Sequence, residues 1–121
     1  MMWNYDSTSG HLFNPAKALI CVCYSGRGPG LNNPSMENDK DIGPIPRGSY
    51  TIGTEYTHPT EGPIVMNLEP DEGTETFGRS GFHIHGDNPQ QNHSASLGCI
   101  IAPRFARQLI STSTDRILEV Q

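Results

Sequence analysis

With 121 residues, a net charge of -5 and 34% hydrophobic residues, the chain is long enough to bury one core and too short for two ordinary domains. Its eight lysines and arginines are scattered and make no basic stripe of the kind that tracks a phosphate backbone, which argues against a nucleic-acid partner. No segment approaches the roughly 18 apolar residues of a membrane-spanning helix, so no membrane span is expected.

The opening Met1-Met2-Trp3-Asn4-Tyr5-Asp6 has neither the basic start nor the apolar stretch of a secretory signal, and synthesis in the cytoplasm is expected. Export would then need a machine that reads no cleavable signal. Thirteen glycines and ten prolines without a period predict many turns and short strands. Trp3-Asn4-Tyr5 and His11-Leu12-Phe13 read as the arms of a hairpin around Gly10. Residues 18–24 read as one buried strand containing Cys21 and Cys23. Three cysteines in all do not suggest a disulfide framework. Two same-face cysteines in a single strand are badly placed to bridge each other, so core packing is the expectation for both.

Residues 25–41 are too rich in Gly, Pro and Asn for a regular element, and a loop of that length in a small domain often carries function. Gly43-Pro44-Ile45-Pro46-Arg47-Gly48 predicts a stiff turn and Ser49-Tyr50-Thr51-Ile52-Gly53 a strand. Another strand is predicted over residues 63–68, where Ile64, Met66 and Leu68 alternate with Val65 and Asn67, with a solvated acidic loop over residues 69–75. Phe82 and Ile84 alternate with His83 and His85, as in a half-buried strand that turns both imidazoles to one face. The helix signal is confined to one place: Pro103 suits a first turn, and Ile101, Phe105, Ala106, Leu109 and Ile110 repeat at helical spacing until residues 111–114. Residues 116–120 predict a closing strand. The whole reads as a single mainly β domain, residues 1–121, with one short helix.

The chemistry concentrates in Phe82-His83-Ile84-His85-Gly86-Asp87 and Ser96-Leu97-Gly98-Cys99-Ile100-Ile101. A thiol is an effective nucleophile near neutral pH when something takes its proton, and an imidazole within reach is a common means. His85 and Cys99 are the candidate base and nucleophile. Gly86 lets the chain leave its strand, and Gly98 lets backbone or substrate approach Cys99.

His85-Gly86 followed by Ser96-x-Gly98-Cys99-Ile100 resembles the signature of YkuD-type L,D-transpeptidases, and the order His before Cys is unlike papain-like or NlpC-type peptidases. Companion motifs, Tyr24-Ser25-Gly26, Asn32-Asn33-Pro34, Gly43-Pro44-Ile45-Pro46-Arg47-Gly48-x-Tyr50-x-Ile52-Gly53, Gly78-Arg79-Ser80 and His85-Gly86-Asp87-Asn88, are similar to those of the L,D-transpeptidase-like effectors of bacterial type VI secretion. The resemblance implies a β-sandwich or barrel and a thioester mechanism on peptidoglycan stem peptides with no cofactor. In it Cys99 attacks the third residue of a tetrapeptide and His85 moves the proton, with backbone amides around Gly98 and Cys99 as oxyanion donors. Arg79 is the candidate to receive a substrate carboxylate or hold the His85 strand, Asp87 to orient His85 or make an Asx turn, and Ser96 to donate to thiolate or substrate. Tyr24 and His83 complete the expected substrate-binding set. The resemblance further implies an antibacterial toxin acting in a target cell's periplasm, with a cognate immunity protein and a secretion apparatus as partners. Leu97 stands where the housekeeping enzymes usually carry a second His, and Ile101 where they often carry Arg or Asn, which favours cleavage or exchange over cross-linking. Two other readings are a zinc-binding hydrolase, using His83 and His85 with Cys99, His93 or Asp87, and a non-catalytic cell-wall-binding module.

Overall fold

Ten short strands and one helix are laid out by the computed structural model, which describes residues 1–88 and 95–121. Strands β1 (Trp3–Tyr5) and β2 (His11–Phe13) form the expected antiparallel hairpin, and β3 (Leu19–Val22) pairs with β2. After β4 (Tyr24–Ser25) and a long connection come β5 (Gly48–Ile52), β6 (Tyr56–His58) and β7 (Gly62–Pro70). Then follow β8 (His83–His85), β9 (Ile100–Ile101), α1 (Arg104–Thr112) and β10 (Ile117–Val120).

The strands join into one sheet in the order β3-β2-β1-β10-β5-β7-β8-β9-β4, with β6 beside β7. The mainly β reading with a single helix is borne out. The path begins and ends in strands separated only by Cys23, so one bent segment supplies both ends of the sheet. Its core is built by the inward residues that alternation marks: Tyr5, Leu12, Tyr50, Met66, Leu68, Ile84, Ile100, Leu118 and Val120 are all buried. Each side chain of this size stabilises the fold by about 1.5–3 kcal/mol through burial. Two pairings are parallel, β1 with β10 (Trp3↔Leu118, Tyr5↔Val120) and β8 with β9 (Ile84↔Ile100, His85↔Ile101). The second places the end of β8, carrying His85, beside the strand that follows Cys99.

Several expectations are corrected. Residues 18–24 are two strands, because Cys23 leaves the ladder and its amide turns to Gly10 O at 2.7 Å. The break also brings the Cys21 and Cys23 sulfurs to 3.4 Å, so the two cysteines are not held apart as a regular strand would hold them. The strand expected over residues 63–68 extends to Pro70, since Thr51 and Tyr50 of β5 pair with Glu69 and Pro70. The long irregular connection contains two 3-10 turns, Gly28–Gly30 and Pro34–Met36. On α1 the helical repeat holds in part: Ala106 and Ile110 are buried together with Arg107, whereas Phe105 and Leu109 are about half exposed. Buried Arg107 fastens the helix by donating to Ala102 O at 3.0 Å, Pro63 O at 2.7 Å and Ile64 O at 3.1 Å. Strand β6, too short and exposed to show alternation, was not expected.

Candidate active site

His85 ends β8, is buried, and donates from Nδ1 to Gly86 O at 2.8 Å. A carbonyl only accepts, so the proton of the neutral ring sits on Nδ1 and Nε2 is left as the basic nitrogen. A ring nitrogen of His85, the Cys99 sulfur and a Glu61 carboxylate oxygen all lie within 4.8 Å of one another. The resting thiol is turned to Gly81 O at 3.8 Å rather than to the imidazole. Such spacing is common before substrate tightens a site.

Burial shifts the two groups in opposite directions. It pushes the Cys99 thiol up to about 11; Glu61's charge adds to this, while a backbone hydrogen bond at His83 and the Arg79 charge oppose it. The imidazole of His85 is lowered, first by burial, with His83 and Arg107 acting in the same sense and Glu61 and Gly86 O opposing. Both groups are therefore neutral at rest, and proton transfer must accompany attack rather than precede it.

Cys99 follows a tightly built turn. The Ser96 hydroxyl donates to Cys99 O at 2.6 Å and accepts from Gly98 N at 3.1 Å and Gly26 N at 2.9 Å. Ser96 thus shapes the turn, and the Gly98 amide is occupied, which leaves the Cys99 amide as the oxyanion candidate. Gly98 has φ +123°, and a Cβ there would meet Arg79 Nη2 at 2.3 Å, so the close approach needs glycine. The Arg79 fork is buried against carbonyls: Nη1 donates to Pro44 O at 2.9 Å and to Glu37 O, and Nη2 to Gly43 O at 3.0 Å and Leu97 O at 3.5 Å. It ties the long connection to the Cys99 turn, and the side chain also lines the cleft.

Asp87 is exposed and accepts from the Tyr24 hydroxyl at 2.7 Å and Asn88 N at 2.9 Å. Tyr24 also accepts from Ala95 N at 3.3 Å. Tyr24 and Asp87 thus clamp the two ends of the segment between His85 and Cys99. His83 Nδ1 meets Glu61 Oε1 at 3.0 Å, and Glu61 Oε2 lies 3.7 Å from His85 Nε2. Glu61 is the residue that sequence reading missed. It sits in the β6–β7 turn, where His58 Nδ1 accepts from Thr60 N and Glu61 N, both at 3.1 Å. Only long-range strand pairing brings it to the site, and no local motif marks it.

Cys99, His85 and Glu61 share a cleft of about 310 Å³ whose lining also includes Lys40 and Asp41. Glu61 and His85 also line a second hollow of about 340 Å³ with Gly86 and Asp87. A nucleophile with a basic imidazole between two hollows is suited to holding an acyl group on one side and its acceptor on the other. As metal ligands, the described residues offer Glu61, His85 and Cys99; His83 is engaged with Glu61, and His93 lies outside the described residues.

Fold and site together define a mainly β domain with a cysteine–histidine centre. Residues 20–117 match the Tlde1 domain, and the chain belongs to that family, which is one of type VI secretion effectors. A search of curated proteins found no match.

Proposed function

We propose that the chain is a cysteine-dependent toxin domain, spanning residues 1–121, that acts on the stem tetrapeptides of peptidoglycan as an L,D-carboxypeptidase, a D-amino-acid-exchanging L,D-transpeptidase, or both. One observation carries the reading: the Cys99 sulfur and a His85 ring nitrogen lie within 4.8 Å in the wall of one cleft, with the ring's Nδ1 proton fixed by Gly86 O.

Cys99 attacks the carbonyl of the third stem residue, the L-centre of diaminopimelate, as His85 Nε2 takes the thiol proton. The tetrahedral oxyanion forms near the Cys99 amide, a donor of a type worth about 3 kcal/mol. Its collapse expels D-alanine, whose amine receives the proton from His85, and leaves a thioester on Cys99. Water then gives a tripeptide, a free D-amino acid gives exchange, and a second stem gives a cross-link. Glu61 supports the imidazolium formed in the first step, since Oε2 is placed 3.7 Å from Nε2. The Tlde1 membership supports action in the periplasm of a target cell and a cognate immunity protein that covers the cleft.

Incubation of the pure chain with tetrapeptide muropeptides is expected to release tripeptide and free D-alanine, and unchanged muropeptide would leave only a wall-binding role. Sent to the periplasm of a sensitive cell, the wild type is expected to be toxic and Cys99→Ala and His85→Ala harmless; equal toxicity of the variants would overturn the assigned chemistry. The grouping of Glu61, His85 and Cys99 supports a second reading, zinc-dependent hydrolysis. Loss of activity in chelator, restored by zinc, is its signature, whereas the thioester mechanism is indifferent to chelator.

A further inference from the structure

Neither Cys21 nor Cys23 lines the cleft of Cys99. Residues two apart in a regular strand have Cα atoms about 6.6 Å apart, near the outer limit for a disulfide. Here β3 ends at Val22 and β4 begins at Tyr24, and at this break the two sulfurs come to 3.4 Å. Cys21 is half-buried and Cys23 is 4% exposed, so Cys21 is the more accessible residue of the pair. The two thiols share a hydrogen bond in which either sulfur can donate, and the deeper burial of Cys23 raises its thiol, so Cys21 is the sulfur that ionises first. The Tyr5 hydroxyl adds a second observation. It is the one buried side-chain N or O atom among the described residues without a hydrogen-bond partner, and it is close enough to both sulfurs for their charge to raise its own ionisation. An uncommitted donor therefore stands beside the pair.

We propose that Cys21 and Cys23 form a thiol–disulfide exchange site that closes to an intramolecular disulfide when it meets a disulfide oxidant. The Cys21 thiolate attacks one sulfur of the oxidant, whose S–S bond breaks as one thiolate leaves, and a mixed disulfide remains on Cys21. Cys23 then gives its proton to solvent, its sulfur attacks Cys21 Sγ, and the second thiolate leaves. Two protons and two electrons pass from the pair to the oxidant, which ends as two thiols. Cys99 is spared because its thiol is buried and raised to about 11. The pair stays open in a reducing cytoplasm and closes in an oxidising compartment, and this holds whether or not Cys99 is a catalyst. Closing so short a loop removes little chain entropy, so the thiol state rather than the melting temperature is the readout.

The test incubates the reduced full chain with oxidised glutathione, quenches with acid, alkylates remaining thiols in denaturant and digests with trypsin. Lys17 and Arg27 flank the pair, so one peptide, residues 18–27, carries both cysteines, and Cys99 falls in another. The expected result is an unalkylated 18–27 peptide lighter by two hydrogens, with Cys99 alkylated. Cys23→Ser is expected to stall with one glutathione on Cys21, and Cys21→Ser to leave Cys23 free. In the wild type, two alkylated cysteines after excess oxidant, a persistent glutathione adduct or a link to Cys99 would each overturn the proposal.

Discussion

Burying a thiol beside an imidazole makes both harder to charge, and this sets how activity should depend on pH. A base must be unprotonated to work, and the His85 value is lowered, so the acid limb of kcat/KM is expected below the ordinary histidine value of about 6.5. The rate should then hold level well into the alkaline range, because the free thiol titrates only near 11. His85→Ala should remove the limb and cost about 10²–10⁴-fold. Glu61→Gln offers a finer test: that carboxylate raises His85, so its loss should move the acid limb to still lower pH while the fold remains intact. An unmoved limb would deny Glu61 its electrostatic role. Cys99 and His85 were legible in the sequence because local pattern carries them, a Gly-Cys after a Ser turn and an imidazole on an alternating strand. Glu61 was not, since it stands in a turn whose partner strand lies more than twenty residues on.

The element that aims the nucleophile is the turn of residues 96–99, and its predicted failures are structural. Ser96→Ala leaves Gly26 N and Gly98 N without an acceptor and Cys99 O without its donor, at about 1–3 kcal/mol for each buried group left unpaired. Calorimetry should record a lower melting temperature together with lower activity; unchanged stability would restore Ser96 to a direct catalytic role. Gly98→Ala drives a Cβ into Arg79, and a displacement of about 1 Å at the sulfur suffices for a 10²-fold loss of rate. Arg79→Met should destabilise by about 3 kcal/mol or more, because carbonyls from Glu37, Pro44, Gly43 and Leu97 lose one shared donor. Most strands could be read from alternation, as in the 3–5 and 11–13 hairpin and the 49–53 strand. The break at Cys23 could not, since it depends on Gly10, whose absent Cβ admits the Cys23 carbonyl. The buried side of α1 was legible only in part, at Ala106 and Ile110; Arg107, which no apolar repeat marks, is also buried, on the carbonyls that open β7.

At the scale of the molecule, stability should fall on both sides of neutrality. The thiols of Cys99 and Cys23 and the phenols of Tyr5, Tyr24 and Tyr50 are raised in the folded state, so the unfolded chain ionises first and stability declines as pH rises from about 9. The lowered His85 acts on the other side, where the unfolded chain takes up the proton first and stability declines as pH falls below about 6.5. Denaturant titrations across pH 5–10 should show a plateau between these limits, and a maximum outside it would contradict the burial assigned to these groups. Sheet order carries one more consequence. β10 lies between β1 and β5, which make no ladder with each other, so on that side of the sheet the amino-terminal hairpin is joined to the strands leading to His85 through Ile117–Val120. A ribosome releases those residues after every other strand has emerged. The sheet thus closes only once β10 has emerged, and a growing chain waits with β1 unpaired along one edge until then.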